Sequence, residues 1–141
     1  MMQTQILAPA AVLIVWSLLM LIWMAAVRMP ALARADIRIN DRKGGRGQDL
    51  EGVLAPEVNW KAHNYTHLME QPTLFYACVL ILAIVGYSPA VLIAAWLYAG
   101  LRIVHSLWQA LVNTVPVRLT LFMLSSFVLL FMAISALVTA L

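Results

Sequence analysis

Ile6–Val27 reads ILAPAAVLIVWSLLMLIWMAAV, 22 residues without a formal charge. As a helix rising ~1.5 Å per residue, it crosses the ~30 Å hydrocarbon core of a bilayer. Met1–Gln5 carries no Lys or Arg, and the apolar run is too long for a signal peptide, so the reading is a retained first transmembrane helix. The rest of the chain agrees. Of its 141 residues, 64% are hydrophobic and 11% charged, against roughly 45–50% and about 25% in a soluble domain. That composition excludes a soluble globular domain and a disordered chain. With Cys78 as the single cysteine, no intramolecular disulfide forms.

Three more spans follow from this one. Leu119–Leu141 is again uncharged and closes the chain. Between the two ends, one span covers about 63–85 and contains Glu70 and Pro72, and another covers about 89–112 and contains Arg102 and His105. Gly86-Tyr87-Ser88-Pro89 is a turn that makes these two a hairpin. Pro116 suits the start of the last helix, read as 117–141. The expected fold is all-α: an integral membrane four-helix bundle in one domain, with helices at about 6–27, 63–85, 89–112 and 117–141 and a loop at 28–60. Bilayers admit only helices and closed barrels, and these runs are too long for barrel strands.

Orientation comes from the basic residues. Arg28, Arg34, Arg38, Arg42, Lys43, Arg46 and Lys61 lie in or beside the first loop, and Arg118 falls on the same side. The positive-inside rule puts that loop in the cytoplasm and both termini outside. The net charge of +3 reflects this asymmetry and suits anionic lipid rather than nucleic acid. Arg42-Lys43-Gly44-Gly45-Arg46-Gly47 does not match the phosphate-cradling P-loop pattern.

Ionisable residues inside a span cost roughly 2.5–3.5 kcal/mol each on insertion scales, so they face partners or a wet cavity. On the third helix Tyr98, Arg102, His105, Gln109 and Asn113 are spaced 4, 3, 4 and 4, which draws one stripe on one helical face. On the second, His63, His67 and Glu70 are spaced 4 and 3, flanked by Asn64 and Gln71. Glu70 and Arg102 lie at matching depth, so a carboxylate–guanidinium pair is expected between them. The full stripe predicts a wet cleft that accepts an anion, with Arg102, Arg118 and Lys61 making it net positive. His63, His67 and Glu70, with His105 opposite, also suit zinc or non-haem iron by ligand type. That spacing is generic, and no metal is assigned. Cys78, deeper in an apolar run, reads as a packing residue.

The segments Asn64-Tyr65-Thr66-His67-Leu68-Met69-Glu70-Gln71-Pro72, Leu74-Phe75-Tyr76 and Gly100-Leu101-Arg102-Ile103-Val104-His105-Ser106 resemble the MAPEG family, the membrane-associated proteins in eicosanoid and glutathione metabolism. Arg118 falls where that family carries an Arg at the start of its fourth helix. The resemblance covers about residues 6–140, is strongest from Asn64 to Arg118, and includes the N-x5-E-x-P-x-L-F-Y stretch of a bacterial branch. It implies a homotrimer in a bacterial inner membrane, with glutathione held between subunits near the cytoplasmic face. It also implies that Arg118 acts as the catalytic group stabilising the glutathione thiolate. Glu70, Arg102, His67, His105, His63, Gln109 and Asn113 are the expected ligand-binding residues. At His63, His67 and Gln109 the residue types differ from those of the family's well-studied enzymes, which have Arg, Asn and Tyr there. Two readings stay open. One is a glutathione-dependent transferase or peroxidase acting on lipophilic small molecules. The other is a non-catalytic membrane module or accessory subunit that binds lipid or another membrane protein through the uncharged faces of the first and fourth helices.

Overall fold

The computed structural model describes residues 4–37 and 43–141. Arg38, Asp41 and Arg42 of the first loop lie outside them. Five helices follow in order: α1 (Leu7–Arg34), α2 (Pro56–Met69), α3 (Pro72–Val85), α4 (Pro89–Leu111) and α5 (Val115–Ala140). A short 3-10 turn at Gly47–Leu50 lies between α1 and α2. Four stretches are long and apolar enough to cross a membrane: α1, α2 with α3 as Pro56–Val85, α4 and α5. No strand occurs among the described residues.

Proline sets the start of four of these helices. Pro56, Pro72, Pro89 and Pro116 each sit in the first two helical positions, where the missing N–H removes no intrahelical bond. Helix ends use left-handed residues. Asp36 (φ 53) closes α1 in a Schellman arrangement, with Ile37 N–H on the Leu32 carbonyl at 3.1 Å and Asp36 N–H on Ala33 at 3.3 Å. Gly86 (φ 101, ψ 162) ends α3 in a conformation only glycine adopts without strain.

The boundaries differ from the sequence reading in three places. The first helix runs to Arg34 rather than Val27, because arginines at the membrane edge do not break a helix. The second begins at Pro56 rather than 63. Glu57 and Lys61 make its first turns polar, so hydropathy alone does not reveal them. It also splits in two. Glu70 (φ −86, ψ −98) leaves the helical region, and α3 restarts at Pro72. Pro72 has no N–H for the Leu68 carbonyl and its ring would clash there. Thr73 seals the break, its Oγ1 and backbone N–H both donating to the Glu70 carbonyl, at 2.6 and 3.2 Å.

α4 is the central element, packed against α5, α2 and α1. Ala94, Ala95 and Ala99 on its buried face let the neighbouring helices approach. Gly100, of the same small-residue group, instead faces outward with open space around it. Tyr98 stacks on Phe75 of α3 at 4.3 Å between ring centroids, and both are fully buried. Trp16 of α1 donates its indole N–H to Ser106 Oγ of α4 at 3.0 Å. Ile14, Leu18, Ile22, Ile84, Ile93, Phe127 and Ile134 point outward, as a lipid-facing surface requires.

Candidate functional site

The break between α2 and α3 shapes the site. It leaves carbonyls at the end of α2 without helical donors. Arg102, fully buried on α4, supplies one. Its Nη2 donates to the His67 carbonyl at 2.9 Å and lies 3.1 Å from His67 Nδ1. A cation on the last turn also meets the negative end of the α2 dipole. Nε and Nη1 of Arg102 are buried without a partner.

Above this contact the His67 and His105 rings are stacked, with centroids 4.8 Å apart and planes 20° apart. Phe122 of α5 stands edge-on to His67 at 5.3 Å, and its ring centroid is 5.9 Å from the Arg102 guanidinium carbon. Arg118, one helical turn before Phe122, donates from Nη1 to Asn113 Oδ1 at 2.6 Å. Asn113 reaches it because α4 ends at Leu111 and Asn113 turns left-handed (φ 58). His67, His105, Arg118 and Phe122, with Val115 and Leu119, line a cavity of about 200 Å³.

A second cavity, of about 580 Å³, also has His67 in its wall and lies between the end of α1, the first loop and α2. Arg28, Arg46, Glu51, His63, Glu70 and His67 all contribute to its wall. The loop is tied across it. Arg28 Nη2 donates to the Gly47 carbonyl. His63 Nε2 lies 2.8 Å from Glu51 Oε1. Asn59 Nδ2 donates to the Leu50 and Leu54 carbonyls at 3.3 and 3.4 Å. Asp49 Oδ2 accepts the Arg46 backbone N–H at 2.6 Å. Lys61 Nζ sits 5.6 Å from the Trp23 ring centroid.

The expected Glu70–Arg102 pair does not form. Glu70 is exposed, and among the described residues the one ion pair is His63 with Glu51. The expectation assumed an unbroken second helix. The break takes the Glu70 backbone out of the helix and leaves its side chain exposed, and Arg102 takes the His67 carbonyl instead. His63 leaves the stripe too, 43% exposed against Glu51, so His63, His67, Glu70 and His105 do not converge. Among the described residues no group of three His, Cys, Asp or Glu could hold a metal ion.

Four of the five stripe residues share one buried face of α4, Tyr98, Arg102, His105 and Gln109 all being within 5% of complete burial, while Asn113 lies past the end of the helix and leaves the stripe. Tyr98 OH donates to Gln71 Oε1 at 3.3 Å, and Gln71 Nε2 donates to Ser126 Oγ at 2.7 Å, which links α4 to α5 across the break. Gln109 lines neither loop-end cavity, and its Oε1 is buried without a partner. Phe122 and Arg28 escaped the sequence reading. Phe122 carried one signal, its i, i+4 spacing from Arg118 on a helix. Arg28 carried none beyond charge.

Four membrane-capable helices make the chain an integral, multi-pass membrane protein in contact with lipid. The model of the MAPEG family matches residues 6–138, nearly the whole chain, and the chain belongs to that family. No curated protein and no solved structure matches it.

Proposed function

We propose that this protein binds glutathione at the loop end of the bundle and activates its thiol against lipophilic substrates arriving from the bilayer. The active form is a homotrimer in a bacterial inner membrane, with the loop end in the cytoplasm and both termini outside. The cluster of basic residues at the loop end supports that orientation. Arg102 is the observation that carries the functional reading. It is a fully buried cation with no carboxylate in ion-pair contact among the described residues and with unused donors at Nε and Nη1. A buried charge left so is costly unless an anion accompanies it. Its ring contact, His67, belongs to the walls of both cavities.

The chemistry of glutathione fits the larger cavity. Its two carboxylates meet Arg28 and Arg46, and its ammonium meets Glu51 and Glu70. A volume of about 580 Å³ lies within the roughly 300–1,000 Å³ of small-molecule sites. Past His67, Arg118 offers a guanidinium to the sulfur, and a nearby cation favours thiolate over thiol. The thiol proton goes to water. The thiolate lone pair then forms a C–S bond to an electrophilic carbon, and the leaving group departs with its bonding pair. With a lipid hydroperoxide, the sulfur attacks the terminal oxygen and the O–O bond breaks. A second glutathione completes the disulfide, releasing water and the lipid alcohol.

Calorimetric titration of the detergent-purified protein with glutathione tests this. Binding heat is expected, with a rise in thermal midpoint, since ligand at 100 times its Kd adds about 2.7 kcal/mol of stability. No heat and no stabilisation at millimolar glutathione would overturn the reading in favour of the accessory-subunit alternative.

A further inference from the structure

We propose that Arg102 is a positioning residue that fixes His67 as a neutral imidazole with its proton on Nε2, and that this N–H is the donor His67 offers to the ligand where the two cavities meet. The identity of that ligand rests on the glutathione reading above. The tautomer does not.

A guanidinium has five N–H donors and no acceptor. Nη2 of Arg102, 3.1 Å from His67 Nδ1, therefore needs a lone pair there. A proton on Nδ1 would set N–H against N–H in a buried site. The second N–H of the same nitrogen goes to the His67 carbonyl at 2.9 Å, so one rigid fork holds both the ring and the backbone of His67. The stack on His105 and the edge contact with Phe122 fix the ring plane as well. Arg102 has no freedom to release the ring, since none of its surface is exposed. With Nδ1 occupied, the proton is on Nε2, and Nε2 has no hydrogen-bond partner among the described residues.

His67 belongs to the walls of both cavities. It is the wall residue the two cavities share, so a ligand lying in the larger cavity with its reacting atom near Arg118 would have this ring beside it. A neutral N–H there adds a hydrogen bond to an anionic atom without adding a further positive charge beside Arg102 and Arg118.

The test is nitrogen NMR of protein labelled with 15N-histidine, in detergent, with His63→Gln and His105→Gln to assign the signals. Wild-type His67 is expected to show a bare Nδ1, resonating downfield, and a protonated Nε2, resonating upfield. Arg102→Met is expected to mix the two tautomers, and Arg102→Lys, which still only donates, to restore one. A resting His67 protonated at Nδ1 overturns the positioning role whatever binds, and wild-type protein alone suffices to see it. On adding glutathione the Nε2 signal is expected to move while Nδ1 stays. Binding heat with an unmoved Nε2 overturns the donor role and leaves the glutathione reading intact. No heat and no shift removes the glutathione reading and, with it, the donor role.

Discussion

His105 of α4 lies face to face with His67 of α2, ring centroids 4.8 Å apart, and is 2% exposed. The pair joins two helices at the wall of the smaller cavity. His105→Ala deletes a buried ring and is expected to cost about 1–3 kcal/mol. His105→Phe keeps the stack and is expected to recover most of it. Thermal midpoints in detergent check this, and equal losses from both variants would show that the stack contributes nothing.

Glu70 is the second case. It caps the broken end of α2, exposed and without an ion pair among the described residues. Glu70→Gln is therefore expected to leave the thermal midpoint nearly unchanged while weakening glutathione binding, because Glu70 belongs to the larger cavity's wall. A large drop in stability with unchanged affinity would mean that Arg102 depends on this carboxylate after all.

Arg102→Met sets two terms against each other. The variant loses hydrogen bonds to His67, worth roughly 1.5–3 kcal/mol for a charged donor. It also removes a buried cation whose desolvation costs several kcal/mol. With no carboxylate in ion-pair contact with Arg102 among the described residues, the second term is expected to offset the first. The midpoint holds or rises, and glutathione affinity falls at least tenfold. A protein that no longer folds would reverse that balance.

Asn113 separates backbone from side chain. Its φ of 58 makes Asn113→Ala costly by about 1–2 kcal/mol, whereas Asn113→Gly removes that strain. Both variants free Arg118 from its 2.6 Å anchor. Asn113→Gly is expected to keep stability but lower turnover, with Arg118→Ala lowering it further at little cost in glutathione affinity. Steady-state rates with a lipophilic electrophile are the readout. Full activity in Asn113→Gly would show that Arg118 needs no anchor.

Gly86 provides a control far from the site. Its φ of 101 and ψ of 162 penalise any side chain by about 1–3 kcal/mol. Arg102 is 13 residues from the start of α4 at Pro89, or about 20 Å. Gly86→Ala is expected to lower the thermal midpoint and leave glutathione affinity unchanged. Altered affinity would tie the turn to the site.

The apolar runs of this chain are legible in its sequence because length and hydropathy report directly on the bilayer, whereas of the proline starts Pro116 is read as one and those at Pro56 and Pro72 are not. The α4 stripe is legible too, because Tyr98, Arg102, His105 and Gln109 repeat at helical spacing along one uninterrupted helix. The second helix is where that logic ends. Spacing places Glu70 on the stripe only while the helix is unbroken, and a single proline two residues on ends that helix. His67 was visible as a polar residue in a span. Its grip by Arg102 was not, because backbone carbonyls leave no mark in a sequence. Phe122 reads as one more apolar residue until α5 places it over the histidines.

The fracture between α2 and α3 has one more outcome. Arginine in oil is commonly balanced by an acidic side chain, and such a balance fails whenever that acid takes up a proton. Here one acceptor of Arg102 is a peptide carbonyl at the negative end of α2, which has no proton to gain or lose. In acid the His67 carbonyl still accepts from Arg102, while the Nδ1 contact is lost once that ring takes up a proton, so the backbone half of the fork outlasts the side-chain half.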